Sequence, residues 1–479
     1  MTPPKTRALR GRLLDFLDDP AAVGARASYR YRHDGLLLIE GGRIAKAGDA
    51  ADLLPELPAG TPVDEYPDCL ILPGLIDTHI HYSQTRVIAS YGAQLLEWLT
   101  KYTFVEEQKF GDPAHAATIA RIFLDELLRN GTTTAAVYCT VHPESVEAFF
   151  AESERRNTRM IAGKVLMDRN APAALTDTAD HGYRESKALL EKWHRRGRQL
   201  YAISPRFAVT SSEAQLEAAG ALLREHPNAY LQTHLAENRE EIATVRRLFP
   251  SARSYTDVYD RAGLLGPRSI LGHCLHLADE ELQRLSETRS VAAFCPTSNL
   301  FIGSGLLDLA RLRDPARPVR MSLATDVGGG TSYSMLRTAA EAYKVLQLQG
   351  QNLPALDAFY MMTLGNARAL GLEAEIGSLG IGSAADLAVL DPAATPAMGH
   401  RMAAARDLEE ALFVLMTLGD DRAVRATYVL GEPAYAVNLT IRRRGGPGTR
   451  EPAPTPGAVL ARSAAPKRSM DRRGRAPSR

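Results

Sequence analysis

The sequence predicts an α/β protein: a (β/α)₈ TIM-type barrel with a small β-sandwich domain formed from both termini. Two observations predict it. Eight apolar, strand-like segments alternate with amphipathic helical stretches over about 260 residues, the usual size of such a barrel. Strand–turn segments without long helices flank this alternation at both ends. The 479 residues suffice for one large barrel and a smaller partner.

The N-terminal segment, 1–66, opens the β domain. Leu36–Ile39 and Ile44–Ala47 flank Gly41–Gly42 and read as a hairpin with a tight glycine turn. Its counterparts are 386–390 and 426–432, so the β domain is expected to combine 1–66 with 375–441. The barrel is expected over 67–374. Its strands are predicted at 70–82, 132–138, 159–168, 201–207, 229–237, 269–274, 291–299 and 319–327, with helices such as 114–129, 213–225 and 279–287 between them. Residues 442–479 are rich in Pro, Gly, Ala and Arg, without apolar periodicity, and read as a disordered basic tail.

Composition excludes several classes. Hydrophobic residues make up 45% and charged residues 24%, with a formal net charge of +1, so neither nucleic acid nor membrane attraction is expected. No stretch is long and apolar enough to span a bilayer, and the N-terminus has no signal-peptide pattern. Cys69, Cys139, Cys274 and Cys295 lie in or beside apolar runs without a CxxC pair, which fits buried free thiols in a reducing cytoplasm better than a thiolate zinc site. The expected location is cytoplasmic.

The chemistry is concentrated at the strand ends. His79 and His81 end the first predicted strand in Pro73-Gly74-Leu75-Ile76-Asp77-Thr78-His79-Ile80-His81. Two residues apart on a strand, they face the same way, into the barrel. Neighbouring buried imidazoles are costly unless a metal binds both. His234 ends the fifth strand, His273 the sixth and Asp326 the eighth; barrels of this type carry their active sites at that end. His79, His81, His234 and Asp326 can supply a mixed nitrogen and oxygen site with room for a water, whose pKa zinc would lower to ~7. Glu237 falls just past the fifth strand, where a carboxyl suits a proton shuttle; the alternative is an acid at the N-terminus of the following helix. His273 is placed to hydrogen-bond the attacking water. Lys164 on the third strand offers the different possibility of a carboxylated, metal-bridging lysine. His142-Pro143-Glu144 has the His-x-Glu form of another zinc deaminase fold, but no Pro-Cys-x-x-Cys follows.

With these motifs the chain resembles the amidohydrolase superfamily and, within it, the guanine deaminase family. The resemblance runs through His79–Gln84, Leu95–Phe104, Asn130–Thr134, Gly163–Asp168, Pro205–Phe207, Thr233–Asn238, Cys295–Asn299 and Thr325–Gly330. It implies one Zn²⁺ per chain on His79, His81, His234 and Asp326, and hydrolysis of guanine to xanthine and ammonia. A metal-bound hydroxide would attack the amine-bearing carbon while Glu237 and Asp326 move protons. Gln84, Arg206 and Phe207 would hold the purine, together with His234, Glu237 and Asp326. Guanine and water are the expected partners, and a homodimer the expected assembly. Phe294 and Cys274 depart from the family pattern, which has His and Gly there. Two other readings stay open: a deaminase or chlorohydrolase of this barrel group acting on another heteroaromatic ring, and a catalytically silent binding protein on the scaffold.

Overall fold

A computed structural model describes residues 6–92, 94–437 and 443–444. Helices of the barrel follow from periodicity and capping. Pro113–Arg129 starts with Asp112 accepting from the Ala114 amide and with proline in the first turn, and it buries Ala116, Ile119, Ala120, Phe123, Leu124 and Leu127. Those positions recur at three- and four-residue steps and make one apolar stripe against the strands. Glu213–Glu225 and Asp279–Thr288 form where the sequence predicts helices.

The eight barrel strands are Leu75–His81, Thr132–Tyr138, Arg159–Gly163, Leu200–Pro205, Tyr230–Leu235, Ser269–His273, Val291–Phe294 and Arg320–Leu323. All ladders between successive strands are parallel. The first and eighth strands meet through a seam that matters for the site. The Asp326 amide donates to the His79 carbonyl at 2.9 Å, and the His81 amide to the Val327 carbonyl at 2.8 Å. Thr78 Oγ1 donates to Ser322 Oγ at 2.8 Å, and Asp77 accepts from the Thr325 amide at 3.1 Å. The seam thereby sets Asp326 beside the two histidines of the first strand.

Strands from both termini build a separate eight-stranded mixed sheet. Its order runs Glu432–Ala436, Val424–Val429, Leu387–Leu390, Val63–Pro73, Thr6–Phe16, Tyr29–Glu40, Arg43–Asp49, and the eighth strand, Arg443–Arg444, pairs with Val63–Pro73 off this path. The predicted hairpin is present, with Gly41 and Gly42 at φ +56° and +80°, the sign a two-residue turn of this type demands. The expected strand 70–82 is in fact two. Leu70–Pro73 pair with Leu387–Leu390 in the terminal sheet, and the barrel strand starts at Leu75. Gly74 makes the switch, and a Cβ there would lie 2.2 Å from Thr133 Oγ1. Other predicted strands overrun by a few residues: 159–168, 229–237, 291–299 and 319–327 end in loops or, at Pro296–Phe301, in a short helix. Arg443–Arg444 form a short strand against Asp64 and Val63, at the start of the segment read as a tail; the remainder of that segment lies outside the described residues.

Candidate active site

Twelve histidines occur in the chain, and only His79, His81, His234 and His273 are buried. All four converge at the carboxyl end of the barrel. His79 and His234 have ring centroids 4.7 Å apart, and His81 and His234 5.2 Å apart. Asp326 Oδ1 lies 3.4 Å from His79 Nε2 and 3.3 Å from His81 Nε2, and His81 Nε2 lies 3.3 Å from His234 Nε2. The ligand atoms of His79, His81, His234 and Asp326 all fall within 4.8 Å of one another.

This donor set fits a divalent cation. Both nitrogens of His79 and Nδ1 of His81 are buried without a hydrogen-bond partner, an arrangement costly for polar atoms that nothing else engages. Burial pushes the His81 imidazole down to about 3; burial together with His79 and His81 pushes His234 well below its ordinary value. These two imidazoles are thus neutral, as metal ligation requires. Burial would raise the Asp326 carboxyl, but the His79 and His81 imidazoles beside it outweigh that and hold the group well below the carboxylate range. His234 Nδ1 lies 2.7 Å from the Arg206 carbonyl oxygen, an outer contact that fixes the ring and points Nε2 inward.

Several of these residues sit on unusual backbone. Ala236, His273, Cys274 and Asp326 have φ between +51° and +71°, a region uncommon for residues other than glycine and typical of functional strand ends. The thiols of Cys274 and Cys295 are buried and free, as are those of Cys69 and Cys139. Phe294 ends the seventh strand and is buried.

Glu237 lies just past the fifth strand and is buried, with Oε1 accepting from Ser304 Oγ at 2.9 Å and Oε2 3.3 Å from His273 Nε2. It does not cap the next helix. Asn238 and Glu241 do, as a reciprocal capping box on Arg239–Leu248. Burial and the neighbouring Asp326 raise the Glu237 carboxyl to about 8. A carboxyl so displaced holds a proton at neutral pH and can deliver it. His273 Nδ1 lies 2.8 Å from Asn299 Oδ1, which orients the ring, and its Nε2 lies 3.7 Å from Asp326 Oδ2.

A small pocket opens over this cluster. Gln84, Arg206 and Phe207 line one side, and Trp98, Leu95, Leu99 and Ile302 add apolar wall. Arg206 Nη1 donates to Glu107 Oε2 at 2.7 Å, with both side chains buried. Lys164 does not join the cluster: it forms ion pairs with Asp177 and Glu185. Sequence reasoning missed Ser304, Asn299 and Glu107. Asn299 sits inside a recognised motif and was within reach; Ser304 and Glu107 carry no local signal.

A barrel with donors that could hold a metal at its mouth is a scaffold shared by a known class of hydrolases. The Amidohydrolase family pattern matches residues 70–434, and the chain belongs to that family. It is 47% identical over 435 residues to guanine deaminase of Escherichia coli (strain K12), covering 90% of this chain and 98% of the relative. Guanine deaminase of Mus musculus is 35% identical over 388 residues, covering 77% and 84%. The solved E. coli guanine deaminase superimposes with a TM-score of 0.88, covering 90% of this chain and 100% of that one. A guanine deaminase from C. acetobutylicum, solved with guanine bound in its active site, has a TM-score of 0.79 at 26% identity, with coverage of 90% and 100%. Among the described residues no helix is long and apolar enough to cross a membrane.

Proposed function

We propose that this chain hydrolyses guanine to xanthine and ammonia, with one zinc ion held by His79, His81, His234 and Asp326. The observation that carries the reading is the pocket. Arg206 and Gln84 face the same small cavity as His81, His234, Asp326 and Glu237. Arginine offers only donors, in a planar fork. Guanine offers an adjacent carbonyl oxygen and ring nitrogen, both acceptors, on one edge. Phe207 and Trp98 supply apolar surface for a flat base. Relatives named for the same reaction, up to 47% identical over nearly the whole chain, support it.

A divalent ion bound there would lower the pKa of its water to ~7. The protein's own groups do the rest. Glu237, protonated near neutral pH and steadied by Ser304, gives its proton to a ring nitrogen, which makes the amine-bearing carbon more electrophilic. Asp326, ionised, takes the proton that the attacking water loses and passes it to the amine, and Glu237, now a carboxylate, takes the proton of the new hydroxyl as the carbonyl forms and ammonia leaves. His273, oriented by Asn299, hydrogen-bonds the attacking water. Adenine carries an amine where guanine carries the carbonyl, and its own amine sits at the other ring position. Mismatched buried donors cost such a site ~10⁴-fold or more in selectivity.

Ammonia release from guanine, adenine and cytosine by the purified, zinc-loaded protein tests the assignment. Rapid release from guanine with the others lower by that margin is expected. Comparable release from adenine would contradict it.

A further inference from the structure

Glu107 hydrogen-bonds both Gln84 and Arg206, two of the polar side chains that line the pocket. It ends the helix Phe104–Glu107, which follows a wide helical turn over Leu99–Thr103. Its side chain is 1% exposed and stands behind the pocket wall. Oε2 accepts from Arg206 Nη1 at 2.7 Å, while Oε1 accepts from Gln84 Nε2 at 3.3 Å and Ser83 Oγ at 3.4 Å. One carboxylate therefore ties the loop after the first strand to the end of the fourth.

The sense of these bonds is chemically determined. Gln84 Oε1 accepts from the Gly328 amide at 3.1 Å. A reversed Gln84 amide would set its carbonyl against the carboxylate and its NH₂ against a backbone N–H, two mismatches at once. The Arg206 guanidinium is held a second time by the Phe104 ring, 5.6 Å from its centroid. Its contacts with Glu107 and Phe104 thus both come from the short helix Phe104–Glu107.

We infer that Glu107 is a specificity-determining positioning residue: its carboxylate clamps Arg206 and Gln84 at the spacing, and in the hydrogen-bonding sense, that the carbonyl edge of the purine requires. The competing role is neutralisation of a buried arginine with no bearing on which base is chosen. The inference rests on guanine being the substrate.

The test uses zinc-loaded wild type, Glu107→Gln, Arg206→Leu and the double variant. Guanine turnover is measured together with the constant for competition by 2-aminopurine, which keeps the amine-bearing carbon and has hydrogen in place of the carbonyl oxygen. In Glu107→Gln, kcat/KM for guanine falls on the order of 10²-fold, as for a misplaced positioning group. The fall lies more in KM than in kcat, while the 2-aminopurine constant moves by only a few-fold and zinc content is unchanged. Parallel loss for both bases, or an unchanged guanine value, overturns the inference. Should the single variant fold poorly because it leaves a buried charge unpaired, the double variant decides. Added to Arg206→Leu, the Glu107→Gln change costs guanine turnover at most about tenfold further, since only Gln84 is left for it to position; a further loss on the order of 10²-fold overturns the role. Wild type that releases no ammonia from guanine removes the substrate reading and this inference together, whereas parallel losses with wild-type turnover intact remove only the role of Glu107.

Discussion

Two clusters of histidine and carboxylate stand in the same barrel and are neutralised differently. At the third strand, Asp177, His181 and Glu185 bring ligand atoms close together, but fully buried Lys164 pairs with both carboxylates. At the ends of the first, fifth and eighth strands, His79, His81, His234 and Asp326 converge, and the ion pairs recorded for Asp326 are all to histidines. The first cluster contains its own cation. The second keeps the neutral imidazoles of His81 and His234 and unpartnered nitrogens around a carboxylate, a donor set that fits a divalent cation. Close donors alone do not mark a metal site; what matters is whether the protein has already supplied the positive charge.

The sharpest way to break this comparison is to remove a ligand. His234→Ala should abolish bound zinc and guanine turnover together, as measured by elemental analysis and ammonia release. Retained metal with full activity would mean that the four residues are not the centre. Glu237→Gln comes next. Zinc content should be unchanged, and kcat should fall ~10²–10⁴-fold, the usual worth of a general acid–base group. The same variant carries a pH signature in metal-stripped protein. The Glu237 carboxyl lies at about 8 in the folded chain against an ordinary 4.5. Its folded pKa is raised, so the stability it contributes is present below pH 4.5 and is lost as pH rises toward 8. Melting temperatures of stripped wild type and Glu237→Gln should therefore coincide near pH 4.5 and separate with rising pH, the variant melting higher. A constant gap across that range would contradict the assignment.

Much of this site was legible in the sequence because strand ends impose order on it. His79 and His81 share a face through the two-residue period, and His234, His273 and Asp326 each close an apolar run. The terminal hairpin was legible for a similar local reason, since Gly41–Gly42 permits one turn type. The boundary inside 70–82 was not, because both halves are apolar and only pairing with Leu387–Leu390 separates them. Glu107 was equally hidden. As one acid in a helical stretch it has no periodic signal, and its meaning depends on Arg206, 99 residues away. Glu237 could be read as a helix cap or a proton shuttle until the capping bonds were found on Asn238 and Glu241.

The smallest effect belongs to the other cluster. Lys164→Met should leave zinc content and guanine kcat/KM within a few-fold of wild type while lowering stability by about 3 kcal/mol in urea unfolding, the order expected when a buried carboxylate loses its partner. Loss of metal in that variant would bring Lys164 back as a ligand and blur the distinction between the two clusters.

The central claim is most directly tested by titrating zinc into chelator-stripped protein while following ammonia release from guanine. The stripped protein should show no turnover, and activity should rise linearly with added zinc and saturate at about one ion per chain. Turnover without metal, or saturation at two ions per chain, would contradict the claim.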